Sequence, residues 1–177
     1  QQRVGKTLEQ ILAGQMADAY LPFALEDLRA DLLIKEVHDG EGVVIGNWTT
    51  VLPRRLSHPG GVFGYRIGWQ DKAMVYATDV NHPPDELDPR VVELARGADL
   101  LIHDAQYTPE EKRERPLWGH SSWLEAVQVG QAAGVRRLAL FHHDPDHSDD
   151  ELEELERQAQ ALLPCAFLAR EGMEITL

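Results

Sequence analysis

A mixed α/β fold, one sheet with helices packed against it, is what the order of patterned segments predicts. Residues 31–79 read as a run of strand-like segments joined by turns. From residue 86 onward helical segments alternate with short apolar ones. Two of those, "ADLLIHDA" (98–105) and "RRLALFHH" (136–143), lack the polar alternation of a half-exposed strand. Strands covered on both faces read that way, which calls for helices beside the sheet.

In chain order, Thr7 is a good N-cap for a helix over 7–18, with Leu8, Ile11, Leu12 and Met16 as its apolar stripe. "DLLIKEV" (31–37) reads as a strand. The turn "DGEG" (39–42) leads into a second strand, "VVIGNWTTVLP", ending near Pro53. "VFGYRIGW" (62–69), "QDK" and "AMVYATD" (73–79) form a tight hairpin. Residues 86–96 are patterned as a helix closed by Gly97. Ser121 or Ser122 can cap a helix through Ala133, closed by Gly134. Ser148 caps another through Leu163, with acidic residues in its first turn where the helix dipole favours them. "CAFLA" (165–169) and "MEITL" (173–177) read as two last short strands. No linker-like stretch interrupts residues 1–177, so one domain is expected.

Composition narrows the function. Of 177 residues, 43% are apolar and 27% charged, as in a globular domain with a real core. No apolar run reaches the roughly 18–20 residues of a membrane span. The net charge of −13 argues against general nucleic-acid binding, which needs a basic footprint. It leaves room for a small anion at a metal site. The one cysteine, Cys165, excludes an internal disulfide and reads as a small buried hydrophobe in a strand. A reducing cytoplasm fits.

Three polar clusters follow strands, where α/β proteins place their sites. In "LSHPGG" the turn residues hold His58 at a strand edge, either as a surface turn histidine or as a ligand. In "YATD" Asp79 ends a strand, as a turn or cap residue or as a carboxylate able to bridge two metals. His82, Asp85 and Asp88, in the loop that follows, read as solvated. In "LALFHHDPDH" three histidines and two aspartates crowd positions 142–147. Adjacent side chains of an extended chain point to opposite faces. One of His142 and His143 therefore faces a site while the other packs, with Asp144 and His147 as further supporting or substrate-binding candidates. Two more pieces complete the set: Asp104 at the end of "LLIHD", and His120 in "WGHSSW", an imidazole able to donate a proton if a carboxylate such as Asp104 orients it. Trp118 and Trp123 flank that histidine and either stack on a substrate or pack.

"HPGG..GYRI", "YATD", "ADLLIHDAQY", "GHSS" and "LALFHHDP" occur in that order between Ser57 and Ser148, roughly half the chain. Together they resemble the metallo-β-lactamase superfamily, in its ribonuclease Z-like and phosphodiesterase branch. The resemblance implies part of an αββα sandwich. It implies His58 on one metal, Asp79 bridging and His142 on the other, the metals being zinc or manganese. It implies His120 as the acid that protonates the leaving oxygen, partnered by Asp104, where the family usually has glutamate. The reaction implied is two-metal hydrolysis, a metal-bound hydroxide attacking phosphorus.

The family's HxHxDH motif, which normally precedes these segments, is not found, since no H-x-H occurs in the chain. The expectation is therefore a C-terminal portion of such a hydrolase, with metal binding weak or absent in this chain alone and the chain alone inactive. An opened sheet edge predicts a homodimer or strand-exchanged oligomer. Ribonuclease Z carries a transfer-RNA arm where this chain has only a hairpin between Ile67 and Asp79. The substrate expected is thus a small phosphodiester rather than transfer RNA. Two other functions compete: a carboxyl-ester, thioester or lactam hydrolase of the same fold, against which the His120 and Asp104 pair argues, and a non-catalytic, metal-free scaffold module.

Overall fold

The computed structural model describes residues 5–17 and 19–177. Its contacts divide the chain into two units, Gln1–Val37 and His38–Leu177, at a point where the sequence shows no linker.

In the first unit, helix α1 (Leu8–Gln15) starts at a capping box. Thr7 accepts from the Gln10 amide while the Gln10 side chain accepts from that of Thr7. The predicted extension to Asp18 falls on a residue outside the described ones. The strand expected at 31–37 is not formed: the segment has no ladder partner among the described residues, and Leu32 and Leu33 are exposed. Its apolar pattern is that of a strand, but a strand exists only where another offers its hydrogen bonds.

The second unit is a seven-stranded sheet in sequential order. Strands β1 (Val43–Ile45), β2 (Thr49–Leu56), β3 (Val62–Trp69) and β4 (Lys72–Ala77) are antiparallel neighbours. Strands β5 (Leu100–Asp104), β6 (Leu138–Phe141) and β7 (Ala166–Leu168) continue the sheet from β4 in parallel. The mixed α/β sheet is the one expected, with differences in detail. Residues 43–53 are two strands rather than one, folded back at Gly46, whose φ of +61° suits a glycine. Pro53 does not end β2, which runs on to Leu56. Residues 173–177 form no strand. Cys165 precedes β7 and is half-buried.

Helices α2 (Pro89–Ala95), α4 (Trp123–Ala133) and α5 (Asp149–Leu162) lie in the β4–β5, β5–β6 and β6–β7 crossovers. A further helix, α3 (Pro109–Glu114), was not expected, although "TPEE" spells its capping box at Thr108 and Glu111. The core joins Val75, Leu101, Leu138 and Leu140 of the sheet to Val91 and Leu94 of α2, Val127 of α4 and Leu155 of α5. Leu101, Leu138 and Leu140 have no exposure, as strands covered on both faces require.

This topology decides where polar residues gather. Because β2 and β4 are each antiparallel to β3, and β4 to β6 are mutually parallel, β2, β4, β5 and β6 all end at one edge of the sheet. His58, Asp79, Asp104 and His142 each lie at or within two residues of one of those ends.

Candidate active site

Asp79 leaves β4 with a φ of +53° and His142 leaves β6 with a φ of +64°. Non-glycine residues adopt this left-handed region at a cost, and such strain concentrates at functional sites. At His142 the kink replaces the extended backbone assumed from the sequence, and it separates His142 from His143. His142 Nε2 stands 3.6 Å from Asp79 Oδ1. The His143 ring instead turns toward the main chain of Ala105 and Leu140, and burial lowers its pKa.

His120 completes the cluster. Asp79, His120 and His142 each offer a ligand atom, all within 4.8 Å of one another. The His120 and His142 rings stack at 4.9 Å, and His58 meets His120 edge-on at 5.6 Å. The four side chains thus adjoin through His120, which the sequence set apart as an acid rather than at the centre.

Hydrogen bonding assigns the ring protons. His58 Nδ1 lies 2.9 Å from the Gly119 carbonyl, which only accepts, so Nδ1 carries the proton and Nε2 is bare. His120 Nδ1 donates to Asp104 Oδ2 at 2.9 Å. The Asp104 carboxylate has no exposure and also accepts from the amides of Val80, Gln106 and Ser121. An aspartate arm therefore closes the pair. That bond is the main reason the His120 pKa is raised. Burial opposes the rise, while the charges of Asp104 and Asp79 add to it and Lys112 subtracts.

The shell around the pair is built from three loops. Ser121 Oγ donates to the Val80 carbonyl at 2.6 Å, and the Asn81 amide to that of Ser57 at 2.8 Å. Lys112 Nζ, on α3, donates to Asn81 Oδ1 and to the His120 carbonyl. His147 Nε2 meets Glu111 at 2.9 Å, and Asp144 pairs with Arg115 at 3.2 Å. His147 and Asp144 therefore tie the loop after β6 to α3 and its C-terminal end, rather than joining the cluster. Lys112, Glu111 and Arg115 had drawn no notice in the sequence. Their only signal was a charged stretch between two site motifs.

His82 and Asp88 overturn the expectation of a solvated loop, each being 2% exposed. Asp88 caps α2 and pairs with Arg90, and its amide donates to His82 Nδ1. Asp85 is exposed, as expected.

Gly119 is a site residue that the motif contained without explaining. Its φ is +92°, and an added Cβ would stand 2.5 Å from Pro59 Cδ and 2.6 Å from His58 Nδ1. A β-carbon cannot occupy that space unless the His58 turn moves. Gly119→Ala is expected to cost about 2 kcal/mol. Thermal melts should show it as a fall of about 4–8 °C for a domain of this size. An unchanged melting temperature would refute the close approach.

Imidazole nitrogens and a carboxylate are donors suited to zinc or manganese; Asp79 and His142 offer one of each, and His120, held by Asp104, stands within the same 4.8 Å. His142 turns Nε2 toward Asp79 Oδ1 at 3.6 Å, too long for a hydrogen bond, so both donor atoms face a common space. The donor set fits a divalent cation.

An α/β sheet whose parallel strand ends gather histidines and aspartates into one metal-type donor set defines the class. The sequence profile of the β-lactamase superfamily domain matches residues 10–143, and the chain belongs to that family, in its metallo-β-lactamase, ribonuclease Z-like branch. The chain is 41% identical over 83 residues to ribonuclease Z of Brevibacillus brevis, an alignment covering 45% of this chain and 26% of that protein. It is 33% identical over 138 residues to ribonuclease Z of Halobacterium salinarum, covering 77% of this chain and 40% of that one. Among solved structures it is similar in fold to the metallo-β-lactamase fold protein YhfI of Bacillus subtilis. There the TM-score is 0.65 at 21% identity, over 77% of this chain and 53% of that. The aligned part thus spans between about a quarter and two-fifths of the curated relatives' length.

Proposed function

We propose that this chain carries the acid–base and part of the metal-binding machinery of a metal-dependent phosphodiesterase acting on a small phosphodiester. The observation that supports the reading most is the buried Asp104 carboxylate holding His120 Nδ1–H. It leaves the other nitrogen of His120 for the space shared with Asp79 and His142. A raised pKa keeps that imidazole charged nearer neutral pH, as a proton donor to a departing alkoxide must be. Asp79, His142 and His58, through its bare Nε2, are the proposed ligands. A divalent pair held there would supply an acidified water and would neutralise charge developing on the phosphoryl oxygens. The protein's own part is to hold the ligands at one edge of the sheet and to aim His120 from a loop locked by Ser121, Lys112 and Gly119. A small substrate is favoured by the net charge of −13, which repels a polynucleotide. The ribonuclease Z relatives make phosphodiester chemistry the fitting class. A reducing cytoplasm remains the proposed location.

The test is a panel in the whole protein with added manganese or zinc: bis(p-nitrophenyl) phosphate against p-nitrophenyl acetate and a β-lactam. Cleavage of the phosphodiester is expected to dominate, to vanish with a chelator and to return with metal. Dominant turnover of the carboxyl ester or the lactam would overturn the reading.

A further inference from the structure

We propose that Trp118 is a stacking platform that takes the nucleobase of a small, nucleoside-bearing phosphodiester. The proposal deepens the phosphodiesterase reading and rests on it for the position of the phosphate.

Two tryptophans flank His120, and the fold treats them oppositely. Trp123 opens α4 and is 7% exposed, packed into the core. Trp118 is 65% exposed and its neighbour Leu117 83% exposed, although both lie within three residues of half-buried His120. A single exposed apolar residue needs no explanation, but Leu117 and Trp118 are adjacent and put a joint apolar surface beside a polar site.

Trp118 is also held rather than loose. Its amide donates to the Arg115 carbonyl at 3.2 Å, and the residue after it is pinned through its carbonyl by His58. The Arg115 guanidinium lies 5.5 Å from the Trp118 ring centroid and 5.2 Å from that of Tyr107. Its charge is matched by Asp144 at 3.2 Å, so it serves as a backing plate rather than a free anion receptor. Tyr107 in turn stands edge-on to His120 at 6.0 Å. A chain of ring and cation contacts, His120 to Tyr107 to Arg115 to Trp118, therefore leads from the reacting centre outward.

An indole fixed from one side by a cation presents a flat apolar surface suited to another π system. Bases stack on such rings with little sequence preference because every base has a π-face. A lone indole suits a single base, in keeping with a small substrate.

The experiment compares the whole protein with Trp118→Ala and Trp118→Phe by calorimetric binding of adenosine 5′-monophosphate. It also measures the KM preference for adenosine 2′,3′-cyclic phosphate over glycerol 1,2-cyclic phosphate. Trp118→Ala is expected to weaken nucleotide binding and to erode the preference, each by about five- to a hundredfold. Trp118→Phe should restore most of both. Equal nucleotide affinity in wild type and Trp118→Ala overturns the platform, whether or not any phosphodiester is cleaved. A dimer lost in Trp118→Ala at unchanged nucleotide affinity would assign the patch to self-association and overturn it too. Failure of the phosphodiesterase reading is seen separately, in the bis(p-nitrophenyl) phosphate panel.

Discussion

Replacing His120 with alanine in the whole protein is expected to slow hydrolysis of an alkyl phosphodiester by about a hundred- to ten-thousandfold in kcat, the usual contribution of a positioned general acid. The loss should depend on the leaving group. An alkoxide leaves poorly without a proton, whereas p-nitrophenolate is stable as an anion and needs less help. Adenosine 2′,3′-cyclic phosphate should therefore show the full effect and bis(p-nitrophenyl) phosphate a smaller one. Metal content, measured by mass spectrometry, should stay unchanged in the variant. That second measurement matters because His120 also lies within ligand distance of Asp79 and His142, and a carboxylate behind an imidazole is equally the arrangement that supports a metal ligand. Loss of metal together with activity would move His120 from acid to ligand. An equal loss on both substrates would argue against proton donation.

The largest effect on stability is expected on acidification. His82 is buried and packs face to face on His103 at 5.4 Å, and burial is the main reason its pKa is lowered from 6.5 to about 3. Its Nδ1 accepts the Asp88 amide, so a second proton would have to displace that hydrogen bond. Burial lowers His103 as well; its Nδ1 donates to the Asp104 carbonyl at 2.7 Å. The depressed values mean that the unfolded chain takes up protons below about pH 6.5 that the folded chain refuses. Stability is thus complete above that pH and lost as pH falls toward 3. At pH 5 His82 alone accounts for ~2 kcal/mol, from about 1.5 pH units at 1.36 kcal/mol each. His120 works in the opposite sense. Its raised pKa contributes stability that is present below 6.5 and fades as pH rises through the folded value. Urea unfolding at pH 7.5 and pH 5 should show the net loss, and His82→Gln should shrink the difference even if it weakens the fold at both. An identical pH dependence in that variant would show that His82 is not the group responsible.

Much of the candidate site was legible because its residues are carried by short local motifs. His58 follows turn residues that end a strand, Asp79 and Asp104 end apolar runs, and His142 follows another. Each position relative to its own element could be read directly. What could not be read was how those elements stand to one another. The Asp104 and His120 bond spans 16 positions, and Lys112 reaches 31 positions back to Asn81. Burial misled at His82 for the same reason. A polar loop looks solvated until a neighbouring strand covers it.

By itself the sequence determined the types and order of the elements from the β3–β4 hairpin to β7, apart from the short helix α3, because side-chain periodicity and caps are local properties. It also singled out His58, Asp79, His142, His120 and Asp104 as candidate ligands and acid pair. The tertiary structure alone decided that residues 31–37 form no strand, that residues 43–53 fold back into two strands, that Trp118 faces solvent while Trp123 is buried, and that His120 joins Asp79 and His142. Those outcomes depend on which segments meet across the sheet. Hydrogen-bond pairing and exclusion of water are properties of pairs distant in the chain, and no window of neighbouring residues contains them.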